Sequence, residues 1–539
     1  MSQIASATLP DDVRPARPVD GLERAQRVLD PARVARWSSG VAAAPGAPTV
    51  AMSSPVTGAD LPALPRSTRE DVRTAFDRAR LVQQKWARTP VAEREAVLLR
   101  FHDLCLERQD EIMDVIQLES GKARRHAFEE VADCAVNARH LGRTAARTLG
   151  TERVGGVFPV LSQTRINHLP KGAVGVVSPW NYPFSLSIGD ALPALVAGNA
   201  VVLRPDPQGS LTALLGQELL EEAGLPVGVL QLVLGEGDIG QAVIEHGDAV
   251  SFTGSTATGR TVGAIAGERL VSCSLELGGK NGLYVRADAD IARTVEGVIR
   301  ACYSSAGQLC ISIERLVVHE AIYDRFVPAL VDGIRAMRLG NELAFGYDMG
   351  SMVGPRQLER VQQHVEDAVA HGARVLAGGR ARPDLGPYVY EPTLLEGVTA
   401  EMACRTEETF GPVVGLYRVG SDDEAVALIN DTEYGLNAAI YTRDVRRGRD
   451  LAARVCAGTV NINEGYAAAY SSAAAPMGGM KSSGVGRRHG VEGLLKFTES
   501  QNVTAQHVMG FGPVLGMSDE TYTRVLTGAL RVLKAARLS

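Results

Sequence analysis

Cys310 lies in the segment SSAGQLCIS, residues 304–312, and is the one cysteine of seven whose glycine, serine and glutamine neighbours could leave a thiol reachable. An ionised thiol is a strong nucleophile, whereas a cysteine in an apolar core behaves as a small hydrophobe. Both readings of Cys310 remain open on this segment alone. The cysteines form no C-x-x-C pair, so the sequence indicates neither a disulfide framework nor a zinc site.

Two other polar residues could assist such a nucleophile. Asn181 stands in PWNYP, residues 179–183, directly after the apolar run GAVGVVS, where open α/β sheets bind ligands. It is either an amide donor for a developing negative charge or part of a structural turn. Glu276 stands in LELGGKN, residues 275–281, and is either a satisfied core carboxylate or a base whose pKa is raised by poor solvation.

Two glycine-rich turns could bind phosphate. GEGDIG, residues 235–240, fits the G-x-G-x-x-G pattern between an apolar run and a helical one, but lacks an acidic residue at the expected distance. FTGSTATG, residues 252–259, ends a predicted strand and opens a predicted helix, whose free N–H groups and Ser255 would suit a pyrophosphate. A plain helix N-cap at Ser255 is equally consistent with that segment.

These residues need elements that hold them. Apolar runs and helical patterns alternate over residues 173–266 and again from Leu316 onward, which predicts two α/β units with parallel, doubly wound sheets. The spacing over residues 69–149 predicts successive helices. Residues 1–48 are expected to form a loose lead-in, and residues 513–539 an amphipathic helix, which packs on protein more often than on lipid.

Composition excludes several classes of protein. The chain has 539 residues, enough for two large domains, and a mixed net charge of −6, which argues against a nucleic-acid partner. No apolar stretch of signal-peptide or membrane-spanning length occurs, so we expect a cytoplasmic protein with small-molecule partners. The histidines show no metal-ligand spacing, so no metal is expected.

Taken together, PWNYP, FTGSTATG, LELGGKN, GQLC and EETFGPV, in this order, resemble the aldehyde dehydrogenase superfamily over about residues 50–506. RACYSSAGQLCISIERL and SGVGRRHGVEGLLKFTESQ are most similar to its actinobacterial NADP-dependent succinate-semialdehyde dehydrogenases. The resemblance implies a Rossmann-like cofactor domain, an α/β catalytic domain and a small β extension for a homodimer or homotetramer. Their expected ranges are residues 49–151 with 171–277, residues 278–484, and residues 152–170 with 497–512.

The resemblance also implies roles for single residues. Cys310 would attack the aldehyde carbon, Asn181 and the Cys310 N–H would stabilise the oxyanion, and Glu276 would activate the water that releases the acid. Relatives that transfer the acyl group to a thiol do not need this base, so Glu276 favours a free carboxylic acid as product. The implied cofactor contacts are Trp180, Arg204, Gly235, Gly240, Ser255, Leu277, Glu408 and Phe410.

Three departures from the family pattern carry expectations. Arg204 replaces a usual lysine and Pro207 a carboxylate that would repel a 2′-phosphate, which favours NADP over NAD, although the direction of Asp206 matters. Asp190 and Arg488 invert a lysine and a glutamate of many relatives, so we expect these two to touch.

The third departure concerns the aldehyde. Two arginines that bind the distal carboxylate in some bacterial succinate-semialdehyde dehydrogenases correspond here to Gly189 and Ser304. Succinate semialdehyde therefore needs another cation, and Arg488 qualifies only if Asp190 does not neutralise it. Tyr466 and Tyr470, expected at the substrate entrance, would equally suit an aromatic or fatty aldehyde. With a fatty aldehyde, membrane contact through the C-terminal helix is the less favoured alternative.

Overall fold

The structure is a computed structural model that describes residues 21–155, 162–466, 472–506, 512–514 and 516–536. The expected loose lead-in is wrong for residues 21–40, which form the helices Gly21–Val28 and Pro31–Gly40. Asp30 caps the second helix, and Trp37 packs into the main core while its indole N–H donates to Glu218. The Ala, Pro and Arg content of this segment gives only a weak amphipathic pattern, and its apolar face is buried by residues distant in the sequence.

Helices fill the next stretch, as the spacing predicts. They span Arg69–Trp86, Val91–Glu107, Gln109–Ser120 and Arg124–Thr148. A capping box between Thr68 and Asp71 starts the first of them. A two-stranded ribbon, Thr49–Val50 with Leu64–Pro65, precedes it.

The first large sheet has six strands, and its members are parallel except for one edge strand. From edge to edge they are Gly484–Val485, Ser272–Glu276, Ala249–Thr253, Ala173–Ser178, Ala200–Pro205 and Leu230–Leu232. The helices that connect or flank them are Asp190–Val196, Ser210–Glu222, Gly237–His246 and Thr256–Glu268. Its strands read as continuous apolar runs because both faces are covered.

The second large sheet has seven strands, parallel except at one edge pair. Its order is Arg374–Ala377, Thr393–Glu396, Val413–Val419, Ile313–His319, Asn281–Val285, Asn437–Tyr441 and Thr459–Ile462. Its helices are Ile291–Tyr303, Glu320–Arg335, Pro355–Ala370, Ala403–Thr406, Asp422–Asn430 and Val445–Ala452. The prediction of two doubly wound α/β units is confirmed.

Three smaller features complete the described chain. Glu152–Gly155, Ser162–Pro170 and Thr498–Gln506 form a separate antiparallel sheet, and Tyr434–Gly435 pairs with Met480–Lys481. The helices Gly490–Leu495 and Asp519–Ala535 follow, and the second of these buries none of its side chains. None of the helices in the described ranges is long and apolar enough to cross a bilayer.

The two large sheets meet where the site residues lie. The chain leaves the first sheet at Glu276 and enters the second at Asn281, so the LELGGKN segment bridges them. Gly484–Val485 then returns to pair with Ser272–Glu276, although residue 484 falls within the range expected for the catalytic domain. The division into functional domains stays a prediction.

Candidate active site

Cys310 follows a tight turn whose backbone is unusual. Ser305, Ala306 and Gly307 all have positive φ, at 51°, 54° and 69°. A side chain at Gly307 would lie 2.1 Å from the Gly411 carbonyl oxygen, so the turn needs glycine there. The turn delivers Cys310 half-buried to an apolar cluster that includes Tyr182 and Leu309.

Asn181 is held beside this turn. Its side-chain amide donates to the Gln308 carbonyl at 3.0 Å, two residues before the cysteine. The backbone carbonyl of Asn181 accepts from the Lys122 ammonium at 2.6 Å, and Lys122 forms a buried ion pair with Glu130. Glu130 in turn accepts the backbone N–H of Phe184 at 2.8 Å. A buried ion pair therefore fixes the loop that carries Asn181.

Sequence reasoning missed Lys122 and Glu130. Lys122 precedes the helix Arg124–Thr148 and Glu130 lies in its second turn. The helix has an ordinary amphipathic pattern, and only the tertiary contacts reveal the roles of the two residues. The available signal was two opposite charges eight residues apart in a segment otherwise rich in buried positions. Charges of this kind are rarely buried unless they are paired.

Glu276 ends its strand as a buried carboxylate. Within the described residues its Oε1 has no hydrogen-bond partner, and a Cβ added at Gly478 would lie 3.2 Å from it. Burial raises the pKa of Glu276 to about 7, against the opposing charges of Arg488 and Lys496. A carboxyl group with this pKa can take and return a proton near neutral pH.

The thiol of Cys310 responds to two carboxylates. Burial and, to a smaller extent, the charges of Glu408 and Glu276 together raise its pKa to about 12, while Arg488 opposes them. The sulfur is therefore a thiol in this state and requires a nearby positive charge or a loss of negative charge to ionise. Gly279, in the segment that follows Glu276, lies between Glu408 and Cys310: its N–H donates to the Glu408 carboxylate, and a Cβ added to it would lie 2.6 Å from the Cys310 carbonyl oxygen.

Glu408 and Phe410 flank the bridge between the sheets. The Glu408 carboxylate accepts the Gly279 N–H at 2.9 Å, and a Cβ at Gly278 would lie 2.5 Å from it, so this approach needs a glycine. Burial raises the pKa of Glu408 to about 8. The Phe410 ring stands edge-on to the Trp180 ring, with centroids 5.6 Å apart and planes at 89°.

Arg204 lies beside two of the three glycines of the GEGDIG turn, Gly235 and Gly240. The Arg204 Nε donates to the Gly235 carbonyl at 2.8 Å, and a Cβ at Gly240 would lie 3.9 Å from the arginine. Asp206 points toward Arg204, with its Oδ2 3.8 Å from Nη1. The sequence does not predict the direction of the Asp206 side chain. In the structure its carboxylate partly offsets the positive charge of Arg204. Nearby, Arg66 pairs with Glu236 and Asp238.

Ser255 caps the helix Thr256–Glu268, and its Oγ accepts the Thr258 N–H at 3.3 Å. The interpretation of Ser255 as an N-cap is confirmed. Ser255 is also exposed, and a contact of its hydroxyl with a phosphate stays a prediction. Leu277 is buried and would meet a Cβ at Gly259 at 2.3 Å, so it holds the helix against the sheet.

Arg488 and Asp190 touch, as expected from their joint inversion. The guanidinium Nη2 lies 2.6 Å from the Asp190 carboxylate, and the side chains are only 12% and 9% exposed. Asp190 and Asp133 also hold the pKa of Arg488 above its usual value. The suggestion that Arg488 offers a spare charge to a substrate carboxylate is therefore not supported.

The two tyrosines expected at the entrance have different outcomes. Tyr466 is 1% exposed, which contradicts a position at an open entrance. It packs in the same apolar cluster as Cys310, and its hydroxyl donates to Glu129 at 2.9 Å, so the polar tip is satisfied inside. Tyr470 lies outside the described residues.

The residues at the carboxyl ends of the first sheet fit a dinucleotide. Trp180 and Ser255 follow two adjacent parallel strands, and Arg204 lies near the carboxyl end of a third, where such ligands bind. The buried Ser178 hydroxyl at the end of one strand has no hydrogen-bond partner within the described chain, and Gly240 leaves space above the turn. In the described ranges no group of three side chains could hold a metal ion.

Comparison with known proteins gives one consistent result. Residues 42–503 match the model of the aldehyde dehydrogenase family. A protein of Mycolicibacterium smegmatis, provisionally named an NADP(+) succinate-semialdehyde dehydrogenase, is 50% identical over 479 residues, covering 89% of this chain and 93% of that one. A Mycobacterium tuberculosis protein with the same provisional name, numbered 2, is 46% identical over 487 residues, at 90% and 94% coverage.

A solved structure agrees with the fold. The NAD+ complex of an aldehyde dehydrogenase from Bacillus cereus superposes with a TM-score of 0.82 at 32% identity. The match covers 86% of this chain and 94% of that one. The Rossmann-like and catalytic α/β architecture expected from the sequence is confirmed.

Proposed function

The chain belongs to the aldehyde dehydrogenase family, and we propose that it oxidises an aldehyde to a carboxylic acid with NADP, NAD being the alternative cofactor. The observation that carries this proposal is the convergence of three groups. The Asn181 amide lies on the Cys310 turn, and the Glu276 charge acts on the Cys310 thiol. The provisional names of the relatives support NADP as the first choice.

In the proposed reaction the Cys310 sulfur, as thiolate, forms a bond to the aldehyde carbon. One N–H of the Asn181 amide donates to the Gln308 carbonyl, and its other N–H and the Cys310 backbone N–H would donate to the new oxyanion. A bound nicotinamide supplies the acceptor for the hydride that leaves this carbon. The product on the enzyme is a thioester of Cys310.

Glu276 completes the cycle by hydrolysis. Its carboxylate would take a proton from water, the resulting hydroxide would attack the thioester carbon, and the C–S bond would break to release the acid and the thiolate. The unpartnered Oε1 and a pKa of about 7 support this role, because the base is then available near neutral pH.

The cofactor contacts are proposed from position and chemistry. Glu408 and Phe410 would adjoin the nicotinamide ribose and ring, and Leu277 and Ser255 would line the path toward the pyrophosphate with Trp180. In this proposal Arg204, with Gly235 and Gly240, would meet the adenosine ribose. Pro207 brings no charge that would repel a 2′-phosphate, although Asp206 lowers the benefit of Arg204.

The aldehyde is proposed at two levels of detail. The reaction class follows from the family, and the relatives' names make succinate semialdehyde the first substrate to assay, with aromatic or fatty aldehydes as the alternative. The positions of the two carboxylate-binding arginines hold Gly189 and Ser304, and Arg488 is already paired with Asp190. Any affinity for a second carboxylate must therefore come from other residues.

Assembly and location complete the proposal. The separate three-stranded sheet and the exposed helix Asp519–Ala535 support a homodimer or homotetramer, because each leaves one face without a partner in the described chain. A lipid surface is the less favoured occupant of that helix. All seven cysteines are unpaired, which supports a reducing compartment such as the cytoplasm.

A panel of aldehydes assayed with NAD and NADP tests the function directly. We expect reduced cofactor to form with at least one aldehyde, the matching acid to appear in equal amount, and Cys310→Ala to abolish both. Turnover retained in the Cys310→Ala enzyme would contradict the proposal, as would an acyl product that accumulates only when a thiol acceptor is added.

A further inference from the structure

Two serines begin the turn that leads to Cys310, and a tyrosine contacts each of them. The Tyr466 hydroxyl lies 2.8 Å from the Ser304 Oγ, and the Tyr182 hydroxyl lies 2.9 Å from the Ser305 Oγ. The turn starts at Ser304, and its left-handed backbone begins at Ser305. The two phenols therefore contact the segment whose conformation sets the direction of the chain toward Cys310.

Both phenols also contact one carboxyl group, that of Glu129. The Glu129 Oε1 lies 2.9 Å from the Tyr466 hydroxyl, and its Oε2 lies 3.4 Å from the Tyr182 hydroxyl. His126, three residues earlier in the same helix, accepts the Ser305 N–H on its Nδ1 at 3.2 Å. One helix therefore holds the turn through two of its side chains.

The hydrogen bonds through Tyr466 need one proton more than the hydroxyl groups supply. They run from the Arg300 carbonyl to the Ser304 Oγ at 2.8 Å, on to the Tyr466 hydroxyl at 2.8 Å, and to the Glu129 Oε1 at 2.9 Å. Each bond needs a proton, a carbonyl oxygen has none, and a hydroxyl has one. Considered alone, the Tyr466 hydroxyl can donate to Glu129, but its single proton cannot serve Ser304 as well. Three bonds therefore share two hydroxyl protons.

A neutral Glu129 would supply the missing proton. Its O–H would donate to Tyr466, whose own proton then goes to Ser304. The other carboxyl oxygen would accept the Tyr182 hydroxyl, and Tyr182 would accept the hydroxyl of Ser305. An ionised Glu129 would instead leave one pair of oxygen atoms 2.8 Å apart with no proton between them, which costs free energy.

The surroundings of Glu129 also favour its neutral form. Burial raises the pKa of Glu129, although the hydrogen bond of Tyr466 and the charges of Lys122 and Arg300 act against it. These two cations already form ion pairs with other carboxylates, Glu130 and Glu464 respectively. His126 adds no charge, because burial lowers its pKa to about 3. The carboxyl group can therefore keep its proton at neutral pH.

From this proton count we propose that Glu129 is a neutral acid that positions the turn before Cys310. The inference rests on the proposed aldehyde oxidation for its catalytic consequence and deepens it by adding a positioning residue. The turn also orients Gln308, whose side-chain amide donates to the Ser305 carbonyl at 3.2 Å and whose carbonyl accepts the Asn181 amide at 3.0 Å. A break in these bonds would therefore displace the sulfur and the amide donor together.

The charge of the folded enzyme tests the protonation without any substrate. Glu129→Gln replaces a neutral acid by a neutral amide that can also donate to Tyr466 and accept from Tyr182. At pH 7 the folded variant should therefore migrate with the wild type in native capillary electrophoresis. Glu296→Gln is the matched control, since Glu296 is an exposed carboxylate that lines the same cavity as Glu129, and it should lose one negative charge per subunit.

Denaturant removes the difference between the two variants. Both should then differ from the unfolded wild type by one charge, because each carboxyl group ionises in water at pH 7. A native shift of Glu129→Gln equal to that of Glu296→Gln would overturn the inference.

The first turnover tests the positioning. Glu129→Leu and Tyr466→Phe each break the bonds to the turn, and we expect the burst of reduced cofactor to slow by about tenfold or more, with KM for the cofactor changed by less than about twofold. Glu129→Gln should restore most of the burst rate. A Glu129→Leu burst as fast as that of the wild type would contradict the positioning role, and Tyr466→Phe decides by the same criterion if Glu129→Leu does not fold.

Failure of the wild type to form reduced cofactor with any aldehyde would refute the proposed function. The electrophoretic comparison would still test the proton on Glu129, so the two failures are distinguishable.

Discussion

The Arg488 guanidinium lies 2.6 Å from the Asp190 carboxylate in a buried pair that also faces Glu276. Its positive charge lowers the pKa of Glu276 against the larger effect of burial. Lys496 acts in the same direction, and its own pKa is lowered by burial. The pair therefore has two effects. Each member neutralises the other's buried charge, and Arg488 lowers the pKa of Glu276, the base that activates water in the proposed reaction.

Removing one member of the pair should be costly. Arg488→Met leaves Asp190 buried without its partner and should lower the free energy of unfolding by about 3–5 kcal/mol, measured by denaturant titration. The exchanged double variant Asp190→Lys with Arg488→Glu, which restores the order found in many relatives, should recover most of that loss. A double variant no more stable than the single ones would show that the orientation of the pair, rather than its charge balance, is required.

The pH dependence of turnover should report Glu276. Its pKa is raised to about 7, so below that pH it is protonated and cannot accept a proton from water. The rate of acid release should therefore rise with pH through about 7 and then level off. In Glu276→Gln the rate of acid release should no longer rise with pH through this range. It should still release one equivalent of reduced cofactor in a burst, after which the thioester persists and can be detected by mass spectrometry.

How far the sequence predicts this site depends on whether the signal is local. Asn181, Glu276 and Cys310 stand at strand ends or in glycine-rich turns, so their positions follow from patterns a few residues long. Lys122 and Glu130 are near each other in the chain, but their contacts with Asn181 and Phe184 join segments more than 50 residues apart. The contact of Glu129 with Tyr466 is longer still, and no local pattern encodes these contacts.

The N-terminal helices and Tyr466 illustrate the same limit. A segment rich in Ala, Pro and Arg has weak periodicity, and the contacts that Trp37 and Arg33 make with the distant Glu218 hold the helix Pro31–Gly40 in place. Tyr466 follows a strand end and reads as a loop residue, yet Glu129 and Ser304 satisfy its hydroxyl inside the protein. Tertiary partners decided both outcomes.

Cys310 should react slowly in the free enzyme. Because burial, Glu408 and Glu276 hold the pKa of its thiol near 12, little thiolate exists at neutral pH. Alkylation by iodoacetamide, followed on the Cys310 peptide by mass spectrometry, should be slow at pH 7. At about pH 9, where Glu408 with its pKa of about 8 is ionised, Glu408→Gln should accelerate the reaction, because it removes a negative charge that raises the pKa of the thiol. The exposed Cys456 provides an internal reference whose rate should not change.

The preference for NADP should depend on Arg204 and Asp206 in opposite directions. Arg204→Gln removes a charge-assisted contact to a 2′-phosphate and should lower kcat/KM for NADP by about tenfold or more, with a smaller effect for NAD. Asp206→Asn removes the carboxylate 3.8 Å from the guanidinium and should raise kcat/KM for NADP. Equal changes for both cofactors in either variant would place Arg204 away from the 2′ position.

The helix Asp519–Ala535 should pack on a sister subunit. It buries none of its side chains within the described chain, and its helical spacing places Val525, Ala529 and Leu533 on one face. An apolar face without a partner favours association, and Arg524 with Glu520 keeps its opposite face charged. A chain ending at Gly516 should form smaller assemblies, measured by light scattering. Each subunit should still fold, so the thermal unfolding of its two α/β units should be retained. Co-sedimentation of the full chain, but not of the shortened one, with anionic liposomes would instead assign the helix to a lipid surface.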